Sequence, residues 1–111
     1  MSFSQGDIIN FNFDPALGHE QAGYRPAVVI SRKFYNEKTG MLIVCPITSK
    51  SHPYPTRIPL RGDEAKTYGF IICDHIKTID VNTRKPLFIE RISEDMLEKV
   101  LAIVYAEIEK D

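Results

Sequence analysis

No apolar run long enough to cross a bilayer occurs in these 111 residues. The longest uninterrupted stretch, 100–106, is about a third of the roughly 20 residues a spanning helix needs. The opening residues Met1-Ser2-Phe3-Ser4-Gln5 carry no base ahead of an apolar core, so no secretory signal is expected and the chain is expected in the cytoplasm. Cysteine is scarce. Cys45 and Cys73 each lie inside an apolar run, without CxxC spacing or a nearby histidine pair, which argues against a zinc site. In a reducing compartment they are expected as buried packing groups, not a disulfide. Internal repeats and low-complexity segments are also lacking, so residues 1–111 are expected to form a single domain.

A net charge of only −1 gives no sign of a polyanion partner until it is divided along the chain. Residues 93–111 hold six acids against two lysines, whereas residues 1–92 hold twelve bases against nine acids. The body is therefore cationic and the tail acidic, a split compatible with an RNA groove and with many ordinary soluble proteins. With 43% hydrophobic and 26% charged residues, the chain is expected to be globular.

Period-two alternation over 7–13 puts Ile9, Phe11 and Phe13 on one face of a first strand, ended by Asp14-Pro15. The loop that follows runs into a second strand at 25–31, apolar enough to be covered on both faces, with Pro26 tolerated at its start. A short helical turn is expected at 32–35, a third strand at 41–47 and a proline-stiffened loop at 49–55. An edge strand at 57–60, a longer central strand over 69–76 and a last strand at 87–92 complete the sheet. Ser93 is an N-cap, Glu94 and Asp95 fill a first helical turn, and Ile92 can staple to Leu97. Leu97, Val100, Leu101, Val104 and Ile108 then make a helical stripe that packs on the sheet or on a second subunit. Short strands followed by one helix predict a mainly β (α+β) fold, a small curled barrel with a C-terminal helix laid on it.

Chemistry concentrates between Gly18 and Pro26, where His19, Glu20, Gln21 and Arg25 lie on a glycine-bounded loop opening into a strand. An arginine at a strand start offers a permanent, planar fork of donors that matches a phosphate, though it also serves as an ordinary salt-bridge partner. An unperturbed imidazole titrates near neutral pH, so His19 suits acid or base work. Glu20 would act as an acid with a raised pKa or as a base with a free carboxylate. Thr48, after Pro46-Ile47, reads on its own as a β-branched strand residue. Asp74 and His75 interrupt an apolar run, and a buried carboxylate there asks for a partner. Tyr24, His52 and Tyr54 could stack bases, and Lys50, Arg57 and Lys77 could hold phosphates.

In order and spacing, Gly6-Asp7-Ile8-Ile9, Phe13-Asp14-Pro15, the Gly18–Pro26 loop, Pro46-Ile47-Thr48-Ser49 and Cys73-Asp74-His75-Ile76-Lys77-Thr78-Ile79-Asp80 resemble the PemK/MazF family of bacterial toxins. The resemblance covers nearly the whole chain. It implies an SH3-like barrel, a homodimer and a sequence-specific endoribonuclease (an mRNA interferase) that cuts single-stranded RNA without metal or cofactor. It also implies a cognate antitoxin partner, with which such toxins bind DNA. The resemblance makes Arg25 and Thr48 catalytic, with Glu20 and His19 as acid–base candidates left unassigned between them. RNA contacts are implied at Gln21, Tyr24, Ser49, Lys50, His52, Tyr54, Asp74, His75 and Lys77. One branch of the family carries an arginine two residues before the aspartate; this chain has Ile72 there, which favours Arg25 and Thr48 as the working pair. Toxins of the same fold that poison DNA gyrase rely on an apolar or aromatic C-terminus, whereas this chain ends Glu109-Lys110-Asp111. An RNA-binding barrel that cuts nothing is the remaining alternative.

Overall fold

The alternation read from the first strand sorts side chains onto two opposite faces. The computed structural model describes residues 2–14, 18, 23–50, 54–60 and 65–111. Strand β1 spans Asp7–Asn12 and β2 Tyr24–Val29, and these pair antiparallel with Phe11 facing Arg25. Ile9, Phe11, Phe13, Ala27 and Val29 enter one buried cluster, while Ile8 and Val28 enter another. Both faces of β2 are thus covered, as its continuous apolar run requires. Pro26 pairs with Asn10 on β1, but the ladder from β2 to β3 begins only at Ala27, so its missing N–H breaks no rung there.

Helix α1 (Lys33–Thr39) is longer than the expected turn and ends at Gly40, whose φ of 70° closes it in the left-handed region. Strand β3 (Met41–Thr48) follows and pairs with β2 on one side. On its other side it carries two strands in succession, β5 (Gly69–Ile72) beside Ile47 and Thr48, and β6 (Lys77–Asp80) beside residues 41–44. Strand β4 (Arg57–Leu60) pairs only with β5, and β7 (Leu87–Arg91) pairs with β1. The order β4-β5-β3-β2-β1-β7, with β6 also on β3, is a curled antiparallel half-barrel.

The single strand expected over 69–76 is corrected by this pairing. Ile71 faces Ile47 but Lys77 faces Val44, so six steps along one chain match three along β3. Residues 74–76 are looped out. Asp74 is exposed and Ile76 is 39% exposed, so the excursion delivers a carboxylate to water instead of burying it. The break falls beside Cys45 and Pro46 on β3, where proline has no N–H to lend a ladder. Beyond β6, the four-residue helix α2 (Val81–Arg84) was not anticipated. Its N-cap Asp80 accepts from the backbone N–H groups of Asn82 and Thr83.

Helix α3 (Glu94–Ile108) begins as expected, the Ser93 hydroxyl accepting from the Met96 N–H with Glu94 and Asp95 in the first turn. Met96, Leu97, Val100 and Val104 bury against Ile8, Val28, Cys45, Ile47 and Ile71. Ile108, counted in the same stripe, is instead 73% exposed. The two ends of the curled sheet are tied by Glu90 on β7. Its carboxylate accepts from the N–H groups of Lys66 and Thr67, at 3.1 and 2.7 Å, and from the Thr67 hydroxyl at 2.7 Å. Burial works against that charge, but these donors outweigh it and hold the Glu90 pKa below the usual carboxylate value.

Gly69 opens β5 with φ +135°, and a Cβ there would stand against the carbonyl oxygen of Thr48. Only the missing side chain lets β5 close on the end of β3. Gly69→Ala is expected to lower unfolding free energy by about 2–3 kcal/mol, the cost of a strained backbone conformation plus a parted ladder. Urea denaturation checks it.

Candidate active site

Strand register brings the two principal candidates together. Ala27 faces Pro46 and Val29 faces Val44, and the same register carried two residues past this last rung would line Arg25 up with Thr48. Both lie on the face of Ala27, Val29, Leu42 and Val44, opposite the face covered by α3. Phe11 faces Arg25 from β1, and Phe70 faces Thr48 from β5. A row Phe11–Arg25–Thr48–Phe70 therefore crosses four strands.

Within that row Thr48 is 3% exposed and Arg25 half-buried. Arg25 has polar or electrostatic engagement of its own. The Thr48 Oγ1 accepts from the Lys50 N–H at 3.2 Å, folding the chain sharply as it leaves β3. That bond occupies a lone pair of the oxygen and leaves its O–H to donate. A guanidinium and a donor hydroxyl on one face can together bind two oxygens of one phosphate.

Other cations share this face. Lys77 pairs with Val44, and Arg57 pairs with Ile72, two residues along β5 from Phe70. The Arg57 guanidinium lies 5.6 Å from the centroid of the Tyr54 ring, so the two are partners of each other, and Tyr54 keeps 64% of its surface exposed. Tyr24 is 71% exposed beside Arg25, and Ser49 and Lys50 are exposed beyond Thr48. His19, Glu20, Gln21 and His52 lie outside the described residues.

Asp74 and His75 stand apart from this row in character. Burial first and the negative charge of Asp74 second raise the Glu107 carboxyl, which places Asp74 beside the last turns of α3. His75 is half-buried, and its Nδ1 is buried without a hydrogen-bond partner among the described residues. The partner that sequence reasoning sought for Asp74 is unnecessary, because its carboxylate is in water.

Three residues that sequence reasoning did not place at the site join its margin. Asp14 takes a hydrogen bond from Gly23, Arg84 reaches the backbone of residues 12 and 14, and Gly69 lies against Thr48. Asp14-Pro15 was legible as a turn. Arg84 carried no signal. No group of three or more His, Cys, Asp or Glu side chains poised to hold a metal occurs among the described residues.

The buried cysteines are free. Burial, with the nearby Glu107 and Asp74 charges adding to it, pushes the Cys73 thiol up to about 12, and burial likewise raises Cys45. Neither is a nucleophile at neutral pH. The unfolded Cys73 ionises near 9.0 and the folded one near 12, so folding stability from this thiol is intact below pH 9 and falls as pH rises toward 12. Denaturation midpoints measured from pH 8 to 11.5 are expected to decline less steeply for Cys73→Ala than for the wild type.

Comparison with known proteins adds ancestry to this geometry. A family model described as PemK-like, MazF-like toxin of type II toxin-antitoxin system matches residues 4–106. The Escherichia coli K12 endoribonuclease toxin MazF is 47% identical over 74 residues, covering 67% of this chain and 65% of the relative. The match thus spans slightly under two thirds of that relative. The endoribonuclease toxin ChpB of the same organism is 33% identical over 111 residues, covering 96% of this chain and 95% of its own. Among solved structures, MazF of Deinococcus radiodurans superposes with a TM-score of 0.91 at 30% identity, over 99% of both chains. A MazE–MazF complex from that organism gives 0.86 at 27% identity over 100% of both.

Proposed function

The chain belongs to the PemK-like, MazF-like toxin family of type II toxin–antitoxin systems, and on that premise we propose that it is a toxin endoribonuclease cutting single-stranded messenger RNA at a specific sequence. The observation that supports this is the β2–β3 register, which, carried on from Ala27 and Pro46, lines Arg25 up with Thr48 at the end of a cationic face. Residues 1–111 act as one toxin domain, a view supported by the family match over residues 4–106.

The substrate's own 2′-hydroxyl attacks the adjacent phosphorus. The O5′–phosphorus bond breaks, leaving a 2′,3′-cyclic phosphate and a 5′-hydroxyl. Negative charge builds on the phosphoryl oxygens as that happens. Arg25 meets it with two fixed donors, and the Thr48 hydroxyl adds a third, so the charge stabilisation needs no metal. His19 and Glu20 are the candidates to take the 2′ proton and return one to the leaving oxygen. Tyr24 and Tyr54 offer exposed rings for unstacked bases, with Gln21, Ser49, Lys50, His52 and Lys77 as further contacts and Arg57 steadying Tyr54, whereas Asp74 and His75, toward the acidic end of α3, would touch RNA only at the margin.

Partners follow from the surface. A homodimer is supported by Leu87, Phe88 and Ile89, three exposed apolar residues in a row on β7 at the end of the strand order. A cognate antitoxin is supported by the solved MazE–MazF relatives, and DNA binding would be a property of the joint complex. No helix among the described residues is long and apolar enough to cross a membrane, and a cytoplasmic location accords with an RNA target.

Arg25→Ala is expected to slow cleavage by about 10³-fold, the scale of losing a preorganised donor at a charged transition state, while RNA affinity falls by less than about tenfold. Thr48→Val keeps the shape and removes the hydroxyl, and is expected to cost about 10²-fold, with Thr48→Ser near wild type. Single-turnover cleavage of a mixed RNA pool in excess EDTA, with mapping of the new ends, measures both. Unaltered cutting by Arg25→Ala, or arrest by EDTA, would remove the mechanism.

A further inference from the structure

Arg84 reaches across the fold to a place its sequence position does not suggest. It ends α2, a single helical turn held at one end by the Asp80 cap and at the other by the Lys85 N–H donating to Val81 at 2.8 Å. From there its Nη1 donates to the carbonyl of Asn12 at 3.0 Å and to the carbonyl of Asp14. Those two carbonyls belong to the point where β1 leaves the sheet. Residues 12–14 are tied further. The Asp14 N–H donates to the Asn12 Oδ1 at 3.0 Å, and the Gly23 N–H donates to the Asp14 Oδ1 at 2.9 Å. The Phe13 N–H donates to the Gly23 carbonyl at 2.9 Å. Gly23 has φ +74° and stands two residues before Arg25.

We propose that Arg84 and Asp14 are positioning residues for RNA cleavage, clamping the stem at which β1 ends and β2 begins so that Arg25 is held in line with Thr48. The role rests on the endoribonuclease function proposed above. Neither side chain touches the scissile phosphate. Asn12 faces Tyr24 and Phe11 faces Arg25, so any shift of the clamped stem is passed to Arg25 through one and two rungs of the ladder. Without the clamp, the carbonyls of Asn12 and Asp14 lose their cationic donor and Gly23 loses its acceptor, and the last rungs open. A displacement of about 1 Å at a catalytic group is enough to cost about 10²-fold in rate.

The test compares Arg84→Ala, Arg84→Lys, Asp14→Ala and Asp14→Asn with wild type and Arg25→Ala. The assays are steady-state cleavage of a target RNA, amide hydrogen exchange and thermal unfolding. Arg84→Ala and Asp14→Ala are expected to lower kcat by about 30- to 100-fold with KM within about threefold. Exchange at the Phe13 and Gly23 amides is expected to quicken by about tenfold or more as the stem opens. Asp14→Asn keeps an oxygen that can accept from Gly23 and is expected to retain kcat within about threefold and the wild-type exchange. Arg84→Lys, whose ammonium can bridge both carbonyls, is expected between wild type and alanine, and serves if Arg84→Ala does not fold.

Unchanged kcat alongside faster exchange would show a stem that catalysis ignores, and would overturn the proposal. So would unchanged exchange, or an Asp14→Asn as slow as Asp14→Ala. A wild-type protein as silent as Arg25→Ala would instead remove the endoribonuclease function itself. That outcome is told apart because the wild type then has no rate to lose.

Discussion

Strand β3 has to satisfy three partners at once, and every other placement in the molecule follows from how it does so. Its eight residues pair with β2 along one edge and with β5 and then β6 along the other. Because side chains alternate with a period of two, Leu42 and Val44 must enter one cluster while Cys45 and Ile47 enter the other. A slip of one residue would exchange the faces, burying polar groups and exposing apolar ones along the whole strand. The double burial of β3 therefore specifies the register strongly. That register also decides which residue of β2 stands beside Thr48. Carried on past Ala27 and Pro46, that alignment points Arg25 toward Thr48.

The two faces created this way differ in charge as well as in packing. One is covered by α3 through Met96, Leu97, Val100 and Val104, and the acids of residues 93–111 ride on that helix or beyond it. The other face carries Arg25, Arg57 and Lys77 from β2, β4 and β6. The near-zero net charge thus conceals a cationic face and an acidic helix. Asp74 lies on the acidic side of this division, near enough to Glu107 to raise its carboxyl. A polyanion approaching the molecule meets attraction at the Arg25–Thr48 row and repulsion at the end of α3.

Local periodicity carried much of the fold. The alternation of 7–13, the apolar block after Pro26, the edge strand at 57–60 and the Ser93 cap all produced elements where they were expected. Periodicity failed at 69–76, which reads as one strand, whereas the structure ends β5 at Ile72, loops out and begins β6 at Lys77. The cause is tertiary, since β3 is long enough to pair twice and the loop absorbs the mismatch. The site was partly legible. Arg25, Thr48 and their chemistry could be named from motif and side-chain type, but their opposition depends on strand pairing that no local window contains. Arg84 was invisible for the same reason, being 72 residues away from the Asn12 carbonyl it holds. His19, Glu20, Gln21 and His52 lie outside the described residues, so the acid and base remain where the sequence left them.

Each of the two catalytic candidates is set by a backbone device next to it and not by its own side chain. For Thr48 the device is Gly69, whose absent Cβ lets β5 press against the Thr48 carbonyl. For Arg25 it is the stem, where Gly23 in a left-handed turn is locked by Asp14 and, through residues 12 and 14, by Arg84. Both devices lie at strand ends, where ladder bonds are fewest and fraying is easiest. A flexible threonine or arginine tip can adjust by rotation, but a displaced Cα cannot be recovered that way. Catalysis through charge stabilisation demands donors already in place when the phosphate becomes more negative. On the proposed RNA cleavage, the glycines and the clamp therefore serve the chemistry without meeting the substrate.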